Sequence, residues 1–277
     1  MTEPAEYVLG TNDSELDRLR FQAGVWSDMA EAALDRAGVT AGMTVLDLGC
    51  GPGFVTEALA RRVGPTGHVV ALDESPRWHA AMEERTFAAP VERVESTVEE
   101  ADLGEARFDA VFSRWVFSFL GDAAALEAVC RQVHRALKPG GRLIVQDYNH
   151  EGISIFPPSR GFEAVVRATR DFYAGAGGDA WVMGTLPGAA RRAGLNLVEF
   201  TPTVRSGGPS SDVFRWADVF FPKFSTTFVE QGLMTQEEQT LFLEEWSARK
   251  ANPDALFFSP IVADLIVERA ECGAVGC

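Results

Sequence analysis

The residues of this chain best placed to do chemistry are Asp47, Gly49, Cys50, Gly51 and Gly53. They lie inside Val45-Leu46-Asp47-Leu48-Gly49-Cys50-Gly51-Pro52-Gly53-Phe54. A short apolar run carries one acid and then breaks into three glycines at alternate positions. Such a run, bounded by glycine and proline, predicts a buried strand. Val55, Leu59 and Val63, spaced by four, predict an amphipathic helix immediately after it. Glycine lets the chain turn sharply and lets a ligand approach where a Cβ would collide. Strand, glycine turn and helix in this order form the layout of a nucleotide-cofactor site in an open α/β sheet. Spacing narrows the ligand further. The dinucleotide pattern G-x-G-x-x-G needs its third glycine at position 54, where Phe54 stands. D-x-G-x-G-x-G instead sets a carboxylate inside the loop. A diphosphate wants bare amides at a helix N-terminus and is repelled by that acid, whereas a cationic ligand tolerates it.

A second acidic position follows. Val69-Val70-Ala71-Leu72-Asp73-Glu74-Ser75 reads as a strand ending in acid. A carboxylate roughly 20 residues past the glycines can accept hydrogen bonds from ribose hydroxyls, with Asp73 the first choice and Glu74 the second. A helix start at Ser75-Pro76 is the other reading of these acids.

The D-x-G-x-G-x-G stretch resembles motif I of the class I S-adenosylmethionine-dependent methyltransferases, in particular the bacterial small-molecule type. Phe108-Asp109-Ala110-Val111-Phe112-Ser113-Arg114 resembles that family's fourth strand. Leu137-Lys138-Pro139-Gly140-Gly141-Arg142-Leu143-Ile144-Val145 resembles its helix end, turn and fifth strand. The resemblance covers about residues 43–148. It implies S-adenosyl-L-methionine as cofactor, contacted by Asp47, Gly49, Cys50, Gly51, Gly53, Asp73, Glu74, Thr97, Val98, Ser113 and Arg114. The acceptor is expected beyond the carboxyl ends of the fourth and fifth strands. Ser113, Arg114, Trp115, Asp147, Tyr148, Asn149 and His150 stand there, and Trp115, Tyr148 and His150 are the expected substrate contacts. His150 is the candidate general base, because imidazole ordinarily titrates near neutrality. A loop histidine bonded to backbone is the alternative, as is simple packing for Trp115 and Tyr148. Tyr7-Val8-Leu9-Gly10 and Glu15 to Gln22 resemble the family's N-terminal segment, which folds over the cofactor. Arg18 or Gln22 could then reach the methionine carboxylate, or lie on a solvated helix face.

Three absences bear on the acceptor. No Asn/Asp-Pro-Pro-Tyr tetrad follows the fourth strand, and no Pro-Cys nucleophile is present. Ser113 stands where metal-dependent relatives carry an acid, so no metal is expected.

These residues need a scaffold. The expected fold is α/β: a Rossmann-like, seven-stranded, mostly parallel sheet with helices on both faces and a helical cap. Residues 1–40 read as an N-terminal helical cap segment with Leu16, Leu19, Ala23 and Trp26 on one face. Residues 41–150 read as the cofactor-binding core. Its strands are expected near 43–48, 68–73, 91–95, 108–113 and 142–147, and its helices near 54–63, 77–88 and 122–137. Residues 151–277 complete the sheet, with strands at 195–203 and near 256–267. Between those two, a helical substrate-cap insert occupies about 207–254. The insert is rich in aromatics, among them Phe214, Trp216, Phe220, Phe221, Phe242 and Trp246. They either line a substrate pocket, form the cap's own core, or make a dimer contact.

Composition bounds the function. Of 277 residues, 46% are hydrophobic, enough for a sizeable core, and the net charge is −15. Both halves are acidic, which disfavours nucleic acid as partner, since such binding depends on phosphate neutralisation. No apolar run approaches the ~20 residues of a membrane helix. The acidic start (Glu3, Glu6) and four cysteines without paired spacing, including Cys272 and Cys277, fit a reducing cytoplasm. The expected activity is methyl transfer to a small organic molecule, such as a specialised metabolite, with monomer or homodimer left open. The alternatives are a non-methylating reaction on the same cofactor, such as cyclisation, and an NAD(P)-dependent oxidoreductase.

Overall fold

The computed structural model describes residues 13–83 and 85–271. The expectations placed on Tyr7–Gly10, Cys272 and Cys277 fall outside the described residues. Two helices open the described residues, α1 (Asp13–Val25) and α2 (Ser27–Arg36). Then β1 (Thr44–Leu48), α3 (Phe54–Val63), β2 (His68–Asp73), α4 (Pro76–Glu83), β3 (Val91–Glu95) and β4 (Phe108–Arg114) follow. Next come α5 (Ala123–Ala136), β5 (Leu137–Asn149), β6 (Ser154–Phe156), α6 (Arg160–Gly175) and α7 (Val182–Arg192). The last described elements are β7 (Leu195–Thr203), β8 (Ser206–Gly207), α8 (Asp212–Glu230), α9 (Gln236–Ala251), β9 (Leu256–Phe258) and β10 (Ile261–Arg269).

Seven strands form the central sheet in the order β3-β2-β1-β4-β5-β10-β7. The first five run parallel, and β10 lies antiparallel to both β5 and β7. This is the mostly parallel α/β sheet that the sequence predicts. The period-2 alternation of a strand sends neighbours to opposite faces. Val45, Val69, Phe112 and Ile144 pack on α2 and α3, while Leu46, Val70, Val111 and Val145 pack on α5 and α7. Both faces are covered, so the strands read as continuous apolar runs.

Several boundaries differ from expectation, each for a local reason. The helix expected over 77–88 ends at Glu83. Beyond it, Arg85 turns to donate to the Pro52 carbonyl at 2.7 Å, and Phe87 packs against Cys50 and Met82. The fifth strand begins at Leu137, not 142, because Leu137 pairs with Phe108 ahead of the register shift to Ala110–Arg142. The strand expected near 256–267 is two strands. β9 joins β6 and β8 in a separate three-stranded antiparallel sheet, and β10 starts after Ser259-Pro260.

The helical cap is larger than the 207–254 insert. It gathers α1, α6, α8, α9 and the small sheet around a second apolar core. Phe214, Phe228, Phe242 and Trp246 are almost fully buried in it, while Trp216, Phe220 and Phe221 also line a cavity. The aromatic insert therefore serves both as the cap's core and as a cavity wall. Close packing at one point is set by Gly161 of α6: a Cβ there would lie 2.4 Å from the Cα of Phe242 in α9. Backbone cannot yield as a side-chain tip can. Gly161→Val is therefore expected to destabilise the fold by about 1–3 kcal/mol through overpacking, read as a lowered midpoint in urea denaturation.

Candidate active site

Beyond the carboxyl ends of β1, β2 and β4 lies a cavity of about 320 Å³. It is walled by Asp47, Gly49, Cys50, Gly51, Asp73, Glu74, Thr97, Val98 and Arg114, and roofed by Leu19, Gln22 and Ala23 of α1. Two residues from the sequence prediction are not on this wall. Gly53 stands at the N-cap of α3 beneath the loop, and the Ser113 hydroxyl is fully buried, donating to the Leu48 carbonyl at 2.9 Å. Trp78, Ser96, Val116, Phe119 and Leu120 line the cavity without having been expected. Their sequence signal is weak, since an isolated apolar or hydroxyl residue after a strand reads equally well as packing.

The glycine loop is shaped for a close ligand. Gly51 has φ +52°, and a Cβ added to it would meet no protein atom within 4 Å; it would enter open space. The backbone N–H of Gly51 donates to Asp73 Oδ2 at 2.8 Å, while Ser75 N–H donates to Oδ1 at 3.0 Å. These two amides fix the Asp73 carboxylate at the cavity edge and offset the upward push of burial on its pKa. His79 of α4 donates from Nε2 to the Asp73 carbonyl at 2.9 Å. Asp47 accepts from the Thr56 hydroxyl at 2.6 Å. Burial pushes its carboxyl up to about 7, against the pull of Thr56 and of the Arg114 charge. Burial likewise lowers Arg114 to about 10, against the charge of Asp47.

Arg114 is held by a polar ladder across the sheet. Its Nε donates to Gln146 Oε1 at 3.1 Å, and Gln146 Nε2 donates to Asp264 Oδ1 at 2.6 Å. Arg36 pairs with the other oxygen of Asp264 and with Glu199, the latter at 2.7 Å. Strand register makes the ladder: Arg114 lies opposite Gln146, and Gln146 opposite Asp264. Gln146 and Asp264 are 1% and 2% exposed. Gln146→Leu would strand a buried donor and a buried acceptor, so a loss of at least about 2 kcal/mol is expected in chemical denaturation.

A second cavity, of about 50 Å³, adjoins the first. Gln22, Trp115 and Phe119 line both. Trp115 has φ +56°, an outlier for a bulky side chain and a common mark of a functional constraint. Its ring stacks on Tyr148 at 5.7 Å between centroids, and Tyr148 meets His150 edge-on at 5.3 Å. Tyr148 and His150 thus belong to the second cavity and not the first. His150 differs from its sequence reading. It is buried, and burial together with the Arg170 charge lowers its pKa to about 3. The ring is neutral at physiological pH and a poor proton acceptor. Its Nδ1 has no partner among the described residues and can take a hydrogen bond.

Asp147 lies behind this wall. It accepts from the Ser118 and Tyr148 amides at 3.1 and 2.8 Å, and burial raises it to about 6. Its bond to Ser118 pins the 3₁₀ turn Phe117–Phe119, which carries Phe119 into both cavities. Of the two N-terminal candidates, Gln22 reaches both cavities. Arg18 faces the second, bonded to Glu15 at 2.6 Å and to Gln22 at 2.9 Å.

Residues 45–141 match the methyltransferase domain family. This segment is a class I S-adenosylmethionine-dependent methyltransferase domain. The open cradle at Gly51 between two carboxylates is compatible with the cationic, phosphate-free cofactor that the sequence resemblance implies. The ubiquinone/menaquinone biosynthesis C-methyltransferase UbiE of Enterobacter sp. (strain 638) is 33% identical over 136 residues, 47% of this chain and 52% of that protein. The arsenite methyltransferase of Halobacterium salinarum is 32% identical over 114 residues, 40% of this chain and 28% of that protein. This chain thus spans about half, or less, of the length of these relatives. Among solved structures, the cyclopropane synthase MmaA2 of Mycobacterium tuberculosis superposes with TM-score 0.55 at 14% identity, covering 87% of this chain and 83% of that one. The [4+2]-cyclase SpnF superposes with TM-score 0.51 at 17% identity, covering 88% and 81%. At these identities the domain shares their fold.

Proposed function

We propose that the protein transfers a methyl group from S-adenosylmethionine to a small organic molecule, such as a specialised metabolite, held against Trp115. One observation carries the reading: a cavity edged by carboxylates and a bare glycine meets a ring-lined cavity at Trp115. The cofactor supplies an electrophilic methyl on a positively charged sulfur. In this reading Asp73 and Glu74 receive the ribose hydroxyls. Gly49, Cys50 and Gly51 admit the cofactor close to the backbone, and Thr97 and Val98 close the far wall. Asp47 and Arg114 form a buried pair of opposite charges suited to the ammonium and carboxylate of the methionine moiety. Methyl transfer then depends mainly on alignment and exclusion of water. The cap serves both by laying α1 over the cofactor cavity. With His150 neutral and weakly basic, the acceptor atom must be nucleophilic without a strong base. The relatives named as methyltransferases support this reading, and the net charge of −15 favours a small acceptor over nucleic acid.

The test is incubation of the purified chain with methyl-labelled S-adenosylmethionine and a panel of small acceptors, followed by chromatography. Labelled product together with S-adenosylhomocysteine is the expected result. Equilibrium dialysis showing no retention of the cofactor would overturn the reading. Retention and conversion of an acceptor without S-adenosylhomocysteine would favour a cyclisation-type reaction instead.

A further inference from the structure

A polar row crosses β4, β5 and β10 at the edge of the cofactor cavity. The row before it, on the same face of the sheet, is apolar: Phe112, Ile144 and Ile266 stand opposite one another and are fully buried. Arg114, Gln146 and Asp264 occupy the next row in the same register. Apolar side chains would hold the sheet as well at these positions, since a buried charged network adds little net stability over apolar packing of similar volume. The pattern changes at the row whose end, Arg114, lines the cavity.

Hydrogen-bond polarity runs one way along the row. Arg36 can only donate; it holds Oδ2 of Asp264 and is kept beside it by Glu199 at 2.7 Å. As a carboxylate Asp264 can only accept, so Gln146 must turn its Nε2 toward Oδ1, at 2.6 Å. That leaves Gln146 Oε1 facing Arg114, where it accepts from Nε at 3.1 Å. The Arg114 guanidinium also lies over the Trp115 ring, 5.0 Å from its centroid. One edge of the plane is tied and one face is covered. No described residue accepts from Nη1 or Nη2 of Arg114, and neither atom is fully buried. Those two nitrogens form a fork whose geometry matches a carboxylate.

We propose that Gln146 and Asp264 are positioning residues for the cofactor, aiming the free fork of Arg114 at its methionine carboxylate. This rests on the reading above in taking S-adenosylmethionine as the ligand. Only ligands that carry the carboxylate should therefore feel the row. Asp264→Asn keeps the shape of the side chain and reverses its polarity. Arg36 takes the Asn oxygen, the Asn amide then faces Gln146, and Gln146 must turn a donor toward the Arg114 donor. Gln146→Glu in that background presents acceptors to both neighbours and restores the hold.

The experiment is titration calorimetry on the full chain at about pH 8, where carboxylates are ionised. The ligands are S-adenosylhomocysteine and its decarboxylated analogue, which keeps the ammonium. Asp264→Asn should weaken S-adenosylhomocysteine about tenfold, the loss of one charge-assisted hydrogen bond, and leave the analogue unchanged. Asp264→Asn with Gln146→Glu should recover the wild-type affinity. In an Arg114→Gln background, Asp264→Asn should have no further effect on S-adenosylhomocysteine. That comparison decides alone if the analogue binds too weakly to measure. Gln146→Met removes the same hold and takes the place of Asp264→Asn, with the same expectation, if the latter does not fold. The proposal is overturned if S-adenosylhomocysteine affinity is unchanged, if both ligands weaken alike, or if the loss persists without Arg114. Wild-type protein that binds no S-adenosylhomocysteine would instead sink the methyltransferase reading, so the two failures are distinguishable.

Discussion

Gly51→Arg is expected to weaken S-adenosylmethionine binding by at least about 100-fold, about 2.7 kcal/mol, while leaving the chain folded. Position 51 lines the cofactor cavity, and a Cβ there meets no protein atom within 4 Å. Nothing in the fold resists a side chain at this point; the ligand does. The backbone cost is small, since φ is +52° and an L-residue in that region costs about 1–2 kcal/mol. Arginine would fill the space the cofactor needs and add a positive charge beside a cationic ligand. Two measurements separate these effects. Isothermal titration should show binding lost, and thermal melting should show a midpoint lowered by only a few degrees. A variant that binds normally would show that the loop does not hold the cofactor. A variant that fails to fold would show that Gly51 is a structural requirement instead.

The affinity for S-adenosylmethionine should rise with pH through neutrality, and Asp47 should be the cause. Its carboxyl titrates at about 7 in the folded chain, because burial disfavours the charged form. Binding of the cationic cofactor requires the carboxylate, so below pH 7 a growing fraction of the protein must release a proton first. Between pH 8 and pH 6 the affinity should fall about tenfold, with no further gain above pH 8. Asp47→Asn should flatten the profile and hold the affinity near its low-pH level.

The same shift acts on the cofactor-free fold with a definite sign. An unfolded aspartate titrates near 3.8 and the folded Asp47 near 7. The native state therefore holds a proton that the unfolded chain lacks between those values. Asp47's contribution to stability falls as pH rises toward 7 and is level above it. Asp147, raised to about 6, acts in the same direction over a window ending one pH unit lower. His150, lowered to about 3 by burial, opposes both below pH 6.5. Melting the Asp47→Asn variant between pH 6 and pH 8 should show the Asp47 contribution removed. An unchanged slope would place the titration elsewhere.

Some of this protein was legible from local pattern alone. Val45 to Phe54 encodes strand, turn and helix because each segment's apolar period and glycine content depend only on near neighbours. The parallel core, the place of Asp47 at the end of β1 and the place of Asp73 at the end of β2 follow from such periods. α1 shows where that logic stops. Of the expected face Leu16, Leu19, Ala23 and Trp26, only Trp26 is buried; the other three are half-buried, while Glu15, Arg18 and Gln22 are buried beside Val25. Leu19 and Ala23 look into the cofactor cavity instead. The polar face is buried because α8 brings Trp216 and Lys223 to meet it, nearly 200 residues away in sequence.

The strand pattern and the alternate glycines of Val45–Phe54, with Asp47 among them, were enough to determine the sheet and the kind of cofactor, because backbone geometry and short-range spacing are written in contiguous residues. Only tertiary structure decided that His150 is neutral, that Arg114 hangs from Gln146 and Asp264, and that the aromatic insert both fills a core and walls a cavity. Burial and pairing between distant segments set a side chain's charge and partners, and neither quantity exists until the chain has folded.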